Sequence, residues 1–160
     1  MKTPEQTKQN LKISLQKAEE KDIPDLIEVE KKLGGSKMYS VAITEKDWRE
    51  EFDKENSVVY LILKDGKAVG DVSYEIKING SAMITGLAID PDFQSMGIGR
   101  ETINLVLEDL KGIKAIELAT HPDNKKAIKL YSSFGFVAKR RIENYFGDGE
   151  PRILMVKENN

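Results

Sequence analysis

The chain predicts an α/β (α+β) domain built on a mixed, mostly antiparallel central sheet of about seven strands flanked by about four helices. Three observations carry this. Short runs with period-two alternation recur along the 160 residues. Asp-Gly and Asn-Gly pairs join three consecutive runs, as tight hairpins require. In the second half, runs with 3.6-residue periodicity alternate with strands. The expected order is β-α-α-β-β-β-α-β-α-β-β. Residues 1–10 read as a disordered polar tail, and residues 11–157 as one domain with no repeat, low-complexity tract or linker.

Taken in order, "LKISLQKA" alternates Leu11, Ile13 and Leu15 with polar neighbours and reads as a strand. Asp22 is placed to cap "IPDLIEVEKKL", a helix that Gly34 and Gly35 end. Thr44 and Asp47 form a capping-box pattern opening "EKDWREEFDKE". The strands "SVVYLILK", "KAVGDVSYEIKI" and "SAMITGLAI" follow. "GRETINLVLEDLKG" puts Ile103, Val106, Leu107 and Leu110 on one helical face. The strand "KAIELAT" leads to the helix "NKKAIKLYSSFG", closed by Gly135. "FVAKRRIENYF" and "PRILMVK" complete a hairpin around "GDGE".

Composition narrows the function. With 25 Lys+Arg against 27 Asp+Glu, no basic stripe stands out for a nucleic-acid backbone. The absence of cysteine removes disulfides, thiolate metal sites and cysteine nucleophiles. One histidine, His121, excludes a multi-histidine metal site, so no metal is expected. No apolar run has membrane-spanning length and the N-terminus lacks a signal-peptide core, which predicts a cytoplasmic protein, as a monomer or homodimer.

The stretch "LAIDPDFQSMGIGRE" is the most informative. It leads from a strand through a short loop into a helix N-terminus. Such an N-terminus has N–H groups without intrahelical partners and a partly positive dipole end. Small residues there let an anion, such as a phosphate or pyrophosphate, approach the backbone. The Walker pattern is absent, and a dinucleotide fingerprint fails because Thr102 stands at the third glycine position. On the glycines alone, a turn that merely packs the helix is an equal alternative.

The run Gln94-Ser95-Met96-Gly97-Ile98-Gly99 resembles the Gln/Arg-x-x-Gly-x-Gly/Ala signature of the GNAT superfamily of acetyl-coenzyme A (acetyl-CoA)-dependent N-acetyltransferases. "NKKAIKLYSSFGF" is similar to a later family segment, an Asn followed seven residues on by Tyr and then Gly-Phe. The element order agrees from about Leu11 to Val156. The resemblance implies acetyl-CoA as co-substrate. Its pyrophosphate would lie on the amides from Ser95 through Met96, Gly97, Ile98 and Gly99 to Arg100, with Gln94 bracing the loop. Lys126 would lie near the 3′-phosphate, and the amides of Leu87, Ala88 and Ile89 near the acetyl and pantetheine groups. Gly86 is the candidate bulge residue on that strand.

Amine attack on a thioester puts charge on the carbonyl oxygen and then on the leaving sulfur, so a donor is needed near each. Asn124 and Tyr131 stand about 10 Å apart on nearly one helical face. From spacing alone Tyr131 reads as core, and Asn124 reads equally as a helix cap. The resemblance implies instead that Tyr131 is the acid and Asn124 lines the pantetheine. Glu117 looks like the base used by RimI-like protein N-terminal acetyltransferases. The loop after its strand is longer here by "HP", which leaves Ala119, His121 or water alone as alternatives. The closing hairpin is similar to that of RimI-like enzymes. That implies an acceptor wall of Tyr145 and Phe146 faced by Tyr39, although Pro151-Arg152 departs from the usual Asp-Ala. The acceptor is a primary amine, either a peptide N-terminus or a small molecule such as a polyamine, amino acid or aminoglycoside. A non-catalytic coenzyme A-binding module is the rival reading.

Overall fold

Residues 12–159 are described by the computed structural model; the predicted tail and Leu11 lie outside them. Seven strands form one sheet in the order β1-β2-β3-β4-β5-β7-β6. They are β1 Ile13–Lys17, β2 Ser57–Lys64, β3 Lys67–Ile76, β4 Ala82–Ile89, β5 Ala115–Thr120, β6 Val137–Ile142 and β7 Arg152–Glu158. The helices are α1 Ile23–Lys31, α2 Glu45–Phe52, α3 Ile98–Asp109 and α4 Lys125–Ser133. Every strand pair is antiparallel except β4 with β5.

The turn residues act as their chemistry requires. Asp65 and Gly66 both take positive φ, 52° and 79°, and close the two-residue β2–β3 hairpin between Lys64 and Lys67. Thr44 Oγ1 accepts from the Asp47 N–H while Asp47 accepts from the Thr44 N–H, the reciprocal box that starts α2. Asp22 behaves differently from expectation. Its carboxylate accepts from the Glu19 N–H and so closes the short 3₁₀ turn Glu20–Asp22; it makes no side-chain cap to α1. The β6 strand is also shorter than its apolar pattern. It stops at Ile142 because Asn144 turns to φ 49° and its side chain binds the Gly149 N–H at 2.7 Å.

Adjacent side chains on a strand point to opposite faces, and β2 shows which helices cover each. Ile62 joins the core with Ile103 and Val106 of α3 and Tyr131 of α4. Leu61 joins Ile23 and Leu26 of α1 and Trp48 of α2. The sheet therefore separates an α3/α4 side from an α1/α2 side.

The one parallel pairing is also the shortest. It comprises Ala82↔Ile116, Met83↔Glu117 and Ile84↔Leu118, and ends there. At the same level β4 carries a bulge against β3. Tyr74 faces Ile84 and Ser73 faces Gly86, so Thr85 is the residue without a partner, one position before the glycine singled out from the sequence. The Thr85 and Ser73 hydroxyls meet at 2.9 Å. The bulge bends β4 away from β5 and leaves their facing backbone groups unpaired over the C-terminal halves.

A buried acid pair links α1 to the sheet. Asp71 on β3 is 1% exposed, and no N–H or O–H of the described residues reaches its Oδ2. The carboxyl of Glu30 lies beside that of Asp71. Two carboxylates cannot share this dry space, so a proton is held between them. Burial, opposed by the bond to Asp71, raises Glu30 to about 7; burial, then the charge of Glu30, pushes Asp71 well above the carboxylate range. The folded chain therefore holds more protons than the unfolded chain between about pH 4 and about pH 7, and this pair lowers stability as pH rises through that window. Glu30→Gln, which supplies an amide donor instead, is expected to raise the melting temperature relative to the parent by an increment that grows across that window. An increment independent of pH would contradict the shared proton.

Candidate active site

The parted ends of β4 and β5 open into a cavity of about 370 Å³. At one mouth lies the N-terminus of α3. The short turn Pro91–Phe93 precedes it, held by buried Asp90, whose carboxylate accepts from the Asp92 N–H at 2.9 Å and from Lys32 Nζ at 2.6 Å. Gln94 Nε2 donates to the Ile89 carbonyl at 3.0 Å and ties the loop back to β4. Gly97 takes φ 86°, a left-handed conformation that costs a side chain roughly 1–2 kcal/mol. No side chain caps α3, and its entry bond runs from the Glu101 N–H to the Gly97 carbonyl. The N–H groups of Ile98, Gly99 and Arg100 thus have no intrahelical acceptor. At Gly99 a Cβ would make ordinary contact with Ile89 and Leu130, at 3.4 Å each, so packing there does not demand glycine.

Two cations stand at this mouth. Lys126 Nζ lies 3.3 Å from Ser95 Oγ, and Arg100 reaches Ser133 Oγ at 3.2 Å above the Phe134 ring. Both are exposed.

Deeper in, Asn124 and Tyr131 line the wall. Asn124 Oδ1 accepts from the Ala127 N–H at 3.2 Å, so it caps α4 while its amide nitrogen stays available. Tyr131 is 7% exposed, packs edge-on against Phe136, and makes no side-chain hydrogen bond among the described residues. Burial, then the nearby Tyr39, raises its phenol above the ordinary range, so it stays protonated and able to donate.

The other mouth is made by Met38, Tyr39 and Ser40 after α1, and by Phe146 and Arg152 of the closing hairpin. Two contacts hold these segments together. Lys37 pairs with Asp123 at 2.9 Å. His121 Nδ1 accepts from the Asp123 N–H at 3.0 Å, which places its proton on Nε2, the atom 2.8 Å from Glu150. His121 is buried, both ring nitrogens are engaged and it is not part of the cavity wall, so it serves as a tie between loops and not as the alternative base.

Of the residues singled out from the sequence, the cavity brings together Leu87, Ile89, Gln94, Ser95, Gly97, Ile98, Gly99, Arg100, Asn124, Lys126, Tyr131, Tyr39 and Phe146. Four stand apart. Ala88 packs on Val29 and Leu33. Met96 faces solvent. Tyr145 reaches only the edge of Phe146, with ring centroids 4.7 Å apart. Glu117 is paired with Lys77 at 2.6 Å, outside the cavity wall. Thr85, Thr120 and Arg152 line the cavity without having been chosen as site residues. Only Arg152 had a signal, as a charged departure in the closing hairpin. No cluster of three or more potential metal ligands occurs among the described residues, and no helix there is long and apolar enough to cross a membrane.

A sheet split at one parallel pair, with an uncapped helix mouth beside the split, is the architecture of the GNAT fold. Residues 26–136 match the acetyltransferase (GNAT) family, and the chain belongs to it. The ribosomal protein bS18-alanine N-acetyltransferase of Escherichia coli is 29% identical over 101 residues, 60% of this chain and 68% of that protein. Its counterpart among crystal structures, the E. coli ribosomal-protein-S18-alanine N-acetyltransferase, superposes with a TM-score of 0.77 at 22% identity, over 92% of this chain and 94% of that one. A spermidine N-acetyltransferase variant from Vibrio cholerae superposes with a TM-score of 0.74 at 20% identity, over 91% and 93%. At these identities the two structures share the fold.

His121→Ala removes a buried bond and leaves Glu150 without its partner. It is expected to lower stability by about 1–3 kcal/mol, read as a drop in the urea midpoint. An unchanged midpoint would mean that the imidazole does not hold the hairpin.

Proposed function

We propose that the protein transfers an acetyl group from acetyl-CoA to a primary amine by direct attack within a ternary complex. One observation carries this reading: a single cavity joins an uncapped, cation-flanked helix N-terminus to the parted edges of two strands. The first is suited to a pyrophosphate and the second to an extended pantetheine arm. Residues Ser95 to Arg100 and Lys126 would hold the phosphates, and the unpaired backbone of β4 from Thr85 to Ile89 would hold the pantetheine and the thioester. Acetyl-CoA supplies the activated acyl carbon when bound.

The chain's own groups then have defined roles. The β4 amides at the split stabilise the charge that develops on the thioester oxygen. As the amine nitrogen bonds to the acyl carbon, the C–S bond breaks and Tyr131 gives its proton to the departing sulfur, regaining one from solvent. Among the described residues, the cavity wall holds no Asp, Glu or His. The amine therefore reacts in its neutral form, and the proton that its nitrogen sheds as the amide forms leaves through water at the Tyr39 mouth. Glu117, paired with Lys77, would need to break that bond to act as a base. The E. coli relative is named for an alanine acceptor on a ribosomal protein, and its likeness supports an amine acceptor here.

Tyr131→Phe is expected to reduce kcat by about 100-fold while acetyl-CoA affinity stays within about twofold. Thiol release reports turnover cleanly, because the chain has no cysteine. Equal kcat across the pH range would remove the acid role. Gly97→Val is expected to weaken acetyl-CoA binding by about tenfold or more by calorimetry, since the left-handed turn then strains. Equal affinity would put the phosphates elsewhere.

A further inference from the structure

The cavity wall is one-sided in charge. Arg100, Lys126 and Arg152 line it, and no acidic residue does among the described residues. Arg100 and Lys126 are exposed and stand beside the α3 mouth, where coenzyme phosphates account for them. Arg152 is left over.

Its position places it at the other mouth. Thr120 of β5 faces Ile153 of β7, and Leu118 faces Met155. Leu118, Ile153 and Met155 belong to the α3/α4 side of the core. Arg152, one residue from Ile153, therefore projects to the α1 side, where Tyr39 and Phe146 also line the cavity. This is the acceptor side in the acetyl-transfer reading above, on which the present inference rests.

Arg152 is 2% exposed, which is unusual for a guanidinium, and it is held in place. Its Nη1 donates to the Pro151 carbonyl at 3.0 Å and its Nη2 to Asp148 Oδ2 at 3.2 Å, while the plane lies 5.0 Å from the Phe146 ring centroid. These bonds use two of its five N–H groups; three remain without a partner among the described residues. Asp148, its ion-pair partner, is not part of the cavity wall, so the wall carries the guanidinium without a carboxylate of its own. A buried guanidinium in the wall of a ligand cavity, with donors to spare, matches a planar anion, which it binds with paired N–H groups. It also opposes a polycation, which would meet cationic side chains and no carboxylate on the cavity wall.

We infer that Arg152 is the receptor for a carboxylate carried beside the reacting amine, and that the acceptor is a free amino acid or an amino-acid-like small molecule. The same geometry disfavours polyamines, and it disfavours polypeptide N-termini, whose first carbonyl is an uncharged amide.

The test uses the full chain and matched acceptors: the protein amino acids, each against its own carboxamide, with spermidine and a short peptide alongside. Thiol release from acetyl-CoA gives kcat/KM for each. At least one amino acid is expected to exceed its carboxamide, spermidine and the peptide by about tenfold or more, the range of a charge-assisted hydrogen bond. In Arg152→Gln that acid-to-amide ratio should fall to about one, and Arg152→Lys should restore part of it. Calorimetry with acetyl-CoA checks that each variant still folds and binds. If no amino acid is preferred over its carboxamide, including no turnover of any, the inference is overturned. So it is if the ratio survives in a folded Arg152→Gln. Turnover of amides or polyamines alone would leave acetyl transfer standing. A parent protein that fails to bind acetyl-CoA would overturn acetyl transfer itself.

Discussion

When β4 leaves β5 after Ile84, the sheet gives up paired backbone in its interior, and the rest of the site follows from that loss. Unpaired N–H and C=O groups inside a protein are costly unless something else meets them. The bulge at Thr85 makes the parting structural, because no shift in register restores the missing partner. The split also lies between the two halves of the core. One mouth of the resulting cavity opens beside α3 and α4, and the other beside the loop after α1 and the closing hairpin. A ligand that enters by the first mouth can present its reactive end to a ligand that enters by the second.

The surrounding devices keep that opening in shape. Gln94 and Asp90 fix the turn into α3, so its free N–H groups face a set place. Asn124 starts α4 at the level where Tyr131 reaches the cavity. His121 and Lys37 hold the closing hairpin and the loop after α1 to the β5–α4 connection. Away from the cavity, Glu30 and Asp71 bind α1 to β3 through a shared proton, an attachment that weakens as the pair ionises. Charge sorts along the cavity as well. Exposed cations stand at the α3 mouth, a neutral phenol sits within, and one buried guanidinium lies beside the closing hairpin.

Much of this was legible in the chain. Hairpin dipeptides, alternation and helical spacing predicted the seven strands and four helices in order, because each depends on local chemistry. The turn from Gln94 to Gly99 was legible for the same reason, since a left-handed Gly97 and an uncapped helix leave a local pattern. What was hidden depends on competition between partners and on contacts distant in sequence. Asp22 looked like the cap of α1, but a donor on its other side, the Glu19 N–H, competes for the same carboxylate. Glu117 sat on the right strand for a base, yet Lys77, 40 residues away, takes its carboxylate. His121 read as a loop residue because nothing local points to Glu150 as its partner. Arg152 was visible only as an odd residue in the hairpin; its burial and its orientation toward the cavity arise from the pairing of β7 with β5.

In the proposed acetyl transfer, the uncapped start of α3 and the open edge of β4 together make one coenzyme site, and that proposal depends on their acting jointly. Amide chemical shifts followed while the protein is titrated with coenzyme A probe both at once. The largest changes are expected to fall together on Ser95 to Arg100 and on Thr85 to Ile89, and to saturate with one dissociation constant. Changes confined to one of these stretches, or centred outside both, would contradict a joint site.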